Sequence, residues 1–142
     1  MPKKSTMPYY KITNETETHN GLKYKTGLNL DPRPWNPSGN CEPGGIYFSR
    51  EDILAYLDYG CWLRKVTLPP DTPIYANPGT VVKWKAPRVI LGRRVKITAG
   101  VIRRLIAAGA DVHVYDDWPL CWASENGRVE VVKVLKKAMK TR

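Results

Sequence analysis

The stretch TVVKWKAPRVILGRRVKITAGVIRRLIAAG, residues 80–109, contains the change of period that decides the fold class. Up to Ile97 charged and apolar residues alternate. Lys83 and Lys85 interleave with Val82 and Trp84, and Arg94 and Lys96 with Val95 and Ile97. A period of two gives each strand one apolar and one basic face. After Ile97 the period becomes helical. Val101, Ile102, Leu105 and Ile106 share a face, Thr98 can accept at the helix N-terminus, and Gly109 can end the helix. Strands followed by helices in one short chain predict an α+β protein.

Working outward toward the C-terminus, a turn-rich stretch at 110–118 precedes two helices. The first runs from about Pro119 to Glu125, with Pro119 in the first turn, where no N–H is needed. The second runs from about Val129 to Met139, with Val131, Val132 and Leu135 inward and Lys133, Lys136, Lys137 and Lys140 toward the end that favours cations. Toward the N-terminus, YYKIT (9–13), LKYK (22–25), GIYF (45–48), CWLRKVTL (61–68) and PIYA (73–76) have strand composition. Residues 29–45 hold four Pro and three Gly and predict a loop. SREDILAYLDYG (49–60) predicts a helix capped by Ser49, with Glu51 and Asp52 in the first turn, an Ile53/Leu54/Leu57 apolar face and Gly60 at its end.

The formal charge of +10 is uneven. Residues 72–97 hold six basic and no acidic side chains, whereas residues 1–71 nearly balance. An unopposed basic segment points to an acidic partner. Three widely spaced cysteines, Cys41, Cys61 and Cys121, offer neither a disulfide framework nor a zinc spacing, so a reducing compartment is expected. No apolar run reaches membrane-spanning length, and MPKKSTMPYY lacks a signal core, so secretion is not expected.

The segment VIRRLIAAGADVHVYDDWPLCWASENGRVEVVKVLKKA resembles ankyrin repeats through Leu105, Gly109–Asp111, Pro119–Leu120, Ala123, Gly127 and the Val131/Val132/Leu135 face. It departs from the pattern at Trp118 and Cys121, where a Thr and a His are usual. The whole chain is similar in layout to ankyrin-repeat proteins of giant DNA viruses of amoebae. That resemblance implies a viral origin and supplies no mechanism. One and a half repeats cannot stand alone, since each buries its faces against a neighbour. The helices of 98–142 are therefore expected to dock on residues 9–97, with 1–8 as a basic tail.

For chemistry, HNG (His19–Gly21) and GGIYFS (Gly44–Ser49) resemble the nicotinamide-binding core of ADP-ribosyltransferases. The resemblance gives His19 and Tyr47 the roles of clamping NAD. The Glu expected on a late strand is missing, because residues 72–110 contain no acid. A divergent, inactive fold of that type is the alternative reading. His113 reads as an exposed loop residue, Asp116–Asp117 as a helix cap, and Cys61 as a buried packing thiol. Trp62 and Trp84 read as core. Trp118 and Trp122 either cover the bare helical end or contact a partner.

The leading expectation is a small mixed, mainly antiparallel sheet with one helix, capped by ankyrin-like helices. Its function is that of a non-enzymatic interaction protein without cofactor or metal. Lys83, Lys85, Arg88, Arg93, Arg94 and Lys96 form the basic face if their strands pair. The partner is then an acidic protein, or nucleic acid held by sequence-tolerant contacts, in the cytoplasm or nucleus of an infected host cell.

Overall fold

The computed structural model describes residues 7–140. Ten short strands come first: β1 (Tyr9–Thr13), β2 (Thr18–His19), β3 (Leu22–Lys23), β4 (Gly27–Leu30), β5 (Ile46–Ser49), β6 (Trp62–Thr67), β7 (Tyr75–Ala76), β8 (Lys83–Ala86), β9 (Arg88–Leu91) and β10 (Val95–Lys96). Three helices follow: α1 (Ala99–Ala108), α2 (Val114–Glu125) and α3 (Val129–Lys140). Eight strands form one sheet in the order β4-β9-β6-β1-β5-β8-β7, with β10 beside β6. All pairings among the described residues are antiparallel. β2 and β3 form a separate hairpin whose Asn20–Gly21 turn has φ of 51° and 81°. Two positive φ values are what a two-residue hairpin turn with the right twist requires, and Asn-Gly supplies them at low cost.

The sheet separates two apolar clusters. On one face, Tyr24, Ile46, Phe48, Val66, Ala86, Val89 and Leu91 pack together. On the other, Ile12 and Leu63 of the sheet and Ile53, Leu54 and Leu57 meet Val101, Ile102 and Leu105 of α1, Ala123 of α2, and Val131 and Leu135 of α3. The helices therefore share a continuous core with the strands. Thr98 caps α1 by accepting from the Val101 N–H, and Gly109 follows its last turn.

The expected fold class is corrected on several points. The sheet is antiparallel throughout, not mixed. The expected helix of 49–60 shrinks to a single 3-10 turn, Ile53–Tyr56. Ser49 ends β5 and donates to the Val82 carbonyl, so it cannot cap. Asp52 accepts from the Val82 N–H instead of closing a first turn. An ankyrin-like cap is not confirmed. α3 packs on α1 and α2, α2 also meets the 3-10 turn, and the apolar residues of all three helices share one cluster with Ile12 and Leu63 of the sheet, so the helices complete the sheet's own core. The start of α2 departs as well. Tyr115, Asp116 and Asp117 have φ of 54°, 54° and 60°, a left-handed turn, so Asp116 and Asp117 do not cap in the expected way. Of the expected tail, residues 1–6 lie outside the described residues, while Met7 is buried in the core. The second half of β4, Asn29–Leu30, falls within the stretch that composition marks as loop.

Candidate functional site

β1 pairs with β6 along its whole length but with β5 only at Tyr10↔Ser49. The sheet therefore splits between β1 and β5, and a cleft of about 530 Å³ opens there. That size suits a small molecule. Its walls are largely aromatic, with Tyr10, Tyr24, Tyr47, Phe48, Tyr56 and Tyr59. The Lys11 ammonium spans the split and donates to the Tyr47 carbonyl at 2.6 Å. Lys83 lies over the Tyr47 ring, 4.5 Å from its centroid, with its Nζ 3.0 Å from Cys41 Sγ.

The expected NAD-like residues, His19 and Tyr47, line this same cleft. The Nδ1 of His19 shares a 2.7 Å hydrogen bond with the Tyr59 hydroxyl, and Tyr47 donates its hydroxyl proton to the Glu42 carbonyl. Burial, then Lys11 and Arg33, hold the imidazole below its usual range, so it is neutral at pH 7. Desolvation and the neighbouring Lys83 lower Lys11 to about 7. Arg33 also lines the cleft, but its guanidinium is held by both oxygens of Asp31. Glu42 is the one carboxylate among the described lining residues. It comes from the loop before β5, not from a late strand. Sequence reasoning missed Lys11, Tyr24, Tyr56 and Tyr59. Only the excess of Tyr over Phe hinted at a wall with polar tips.

The hairpin that carries His19 is tied to the sheet by a buried ion pair. Arg64 donates to both Glu17 oxygens at 2.7 and 2.8 Å, and to Thr26 Oγ1 and the Gly92 carbonyl. Thr13 adds a hydrogen bond to Glu17. The Arg64 bond is the largest cause holding the Glu17 carboxyl below the usual range.

The expected basic face does not assemble as one ladder. β8 pairs with β5 and β7, whereas β9 pairs with β4 and β6, and β10 with β6. Lys83 lines the cleft, and Lys85 is fully buried between the Tyr47 and Tyr75 rings, donating to the Ser38 and Glu42 carbonyls. Arg88 is half-buried and bonds the Asp71 carbonyl. Arg93, Arg94 and Lys96 are exposed elsewhere, and Arg94 and Lys96 cover the Trp62 ring. Trp62 is thus a half-exposed platform under cations rather than core. Trp84 packs with Tyr9 and Phe48 but is half-buried, at the margin of the cluster around Phe48 rather than inside it. Trp118 and Trp122 stack at 6.3 Å, half-buried against the helical core. Cys61 is half-buried rather than buried, and His113 is exposed beside Asp117.

A second concave surface lies between α1 and α3. Ile106, Ala107, Val134 and Ala138 form its floor, and Arg103, Lys133 and Lys137 its rim, with Glu130 the one acid. Among the described residues no helix is long and apolar enough to cross a membrane, and no cluster of His, Cys, Asp and Glu could hold a metal ion.

No family model and no solved structure matches the chain. Curated relatives do. A protein of Acanthamoeba polyphaga mimivirus named "Putative ankyrin repeat protein" is 40% identical over 129 residues, which covers 85% of this chain and 42% of that protein. An uncharacterized protein of the same virus is 38% identical over 129 residues, covering 87% of this chain and 94% of its own length. A second ankyrin repeat protein named in the same way is 34% identical over 133 residues, covering 89% of this chain and 65% of that protein. The chain thus spans less than half of the first relative but nearly all of the second. On that evidence it belongs to the mimivirus family that unites these ankyrin repeat proteins with their short uncharacterized relative.

Proposed function

We propose that the chain is a non-enzymatic viral interaction module that takes an acidic protein segment in the groove between α1 and α3. The observation that carries this reading is the groove itself: an apolar floor of Ile106, Ala107, Val134 and Ala138 under a rim of Arg103, Lys133 and Lys137. An acidic amphipathic helix matches that arrangement, with its apolar stripe on the floor and its carboxylates at the rim. Support also comes from two relatives named as ankyrin repeat proteins. A protein partner fits better than nucleic acid. The six basic residues of 72–97 are divided among different surroundings, and a phosphate backbone needs a continuous track.

The test is affinity capture by the tagged full chain from infected amoebae, with nuclease present, beside a variant reversed at Arg103→Glu, Lys133→Glu and Lys137→Glu. A partner retained after nuclease, lost from the variant and weakened by salt supports the reading. Identical capture by both chains, or loss of all capture on nuclease treatment, overturns it.

A further inference from the structure

We propose that the cleft between β1 and β5 is a nucleotide-binding site, with the phosphate held by Lys11 and Lys83 and the base and sugar by the tyrosine walls. This site is distinct from the α1–α3 groove and independent of it. Two amines in one cleft are the first observation. Lys11 bridges the split strands, and Lys83 projects from β8 over Tyr47. Neither forms an ion pair with a carboxylate among the described residues. Two like charges confined in an aromatic cleft repel, and an anion between them removes that cost. Lysine is a point-charge donor suited to phosphate.

The walls supply the second observation. Planar faces of Tyr and Phe in a confined cleft suit a planar ring. The hydroxyls of Tyr24 and Tyr56 form no hydrogen bond among the described residues, although both side chains line the cleft. No buried side-chain polar atom is left unsatisfied, so neither hydroxyl is sealed from solvent, although burial raises the proton affinity of both. They are available to the hydroxyls of a ribose. That is what favours a nucleotide over a simple aryl phosphate, which has no sugar to bind.

Proton linkage gives the site a second signature. Lys11 is faced by Lys83 from β8, by its cross-strand neighbour Arg64 from β6, by the Tyr24 ring, and by His19 and Arg33 at longer range. Arg64 is neutralised by Glu17, and Arg33 by Asp31. His19 is neutral at pH 7, and Glu42 contributes the one carboxylate of the lining. Lys11 and Lys83 thus remain uncompensated, and a bound phosphate raises the proton affinity of Lys11.

The experiment is isothermal titration of the full chain with AMP, adenosine, inorganic phosphate and free O-phosphotyrosine, at several pH values and in buffers of different ionisation heat. AMP is expected to bind at least about tenfold more tightly than each of the other three. Lys83→Ala and Lys11→Met should each weaken AMP at least about tenfold, with thermal unfolding confirming that both variants are folded. Binding at pH 7.5 should take up protons, and Lys11→Met should abolish that uptake. AMP no tighter than inorganic phosphate, or unaffected by Lys83→Ala, overturns the proposal. O-phosphotyrosine equal to AMP also overturns it, and assigns the cleft to a phosphorylated peptide.

Discussion

Substituting Arg64 by Met tests whether the buried ion pair holds the His19 hairpin to the sheet. Both side chains are only 4% exposed. The guanidinium makes four hydrogen bonds, two of them to Glu17. Met fills much of the same volume but donates to none of these acceptors. Glu17 is then left as a buried carboxylate with Thr13 as its remaining close donor and Arg94 3.5 Å away. Removing one partner of a buried pair costs about 3–5 kcal/mol, against a total stability of about 5–15 kcal/mol for a domain. The melting temperature should fall by about 10 °C or more. The sign with pH follows from the lowered Glu17 value. A carboxyl with a depressed folded pKa adds stability above its ordinary range, which is lost as pH falls through the folded value. The gap between wild type and variant should therefore be widest at neutral pH and close in acid. Arg64→Met combined with Glu17→Leu should recover part of the loss, because an apolar pair leaves no uncompensated charge. Urea unfolding followed by tryptophan fluorescence measures all three proteins. A loss below about 1 kcal/mol for Arg64→Met, or strict additivity in the double variant, would refute the reasoning.

Lys11, with a folded pKa lowered to about 7, binds fewer protons folded than unfolded between about pH 7 and its ordinary value near 10.5, so stability should rise with pH across that window. Lys11→Met should remove that slope and stabilise the chain at neutral pH, as denaturation at several pH values will show. Gly60→Ala should cost at least about 3 kcal/mol or prevent folding, since an added Cβ would lie 2.0 Å from the Thr13 carbonyl oxygen. Leu135→Ala should cost about 2–5 kcal/mol, because this side chain is fully buried where α3 meets the core. A fragment of residues 98–142 should show no cooperative thermal transition, because it lacks Ile12, Leu63, Ile53 and Leu54, on which its helices pack.

Local chemistry made much of the chain legible in advance. The period change at Ile97, the Thr98 cap and Gly109 placed α1, strand composition placed β1, β5 and β6, and alternation placed β8, because these signals act within a few residues. The acid-free segment 72–97 and the eight Tyr against one Phe are also facts of sequence alone. What lay beyond reach was which strand neighbours which. A period of two says that Lys83 and Lys85 share a face, but not that β8 would pair with β5 and β7. That pairing buries Lys85 and turns Lys83 into the cleft, whereas Arg94 and Lys96 go with β6. Similarly, SREDILAYLDYG satisfies the local rules for a helix, yet Ser49 and Asp52 both spend their side chains on Val82, 33 and 30 residues away. Register and long-range hydrogen bonding are settled by the whole set of competing surfaces, so the split between β1 and β5, and the cleft within it, exist only in the folded chain.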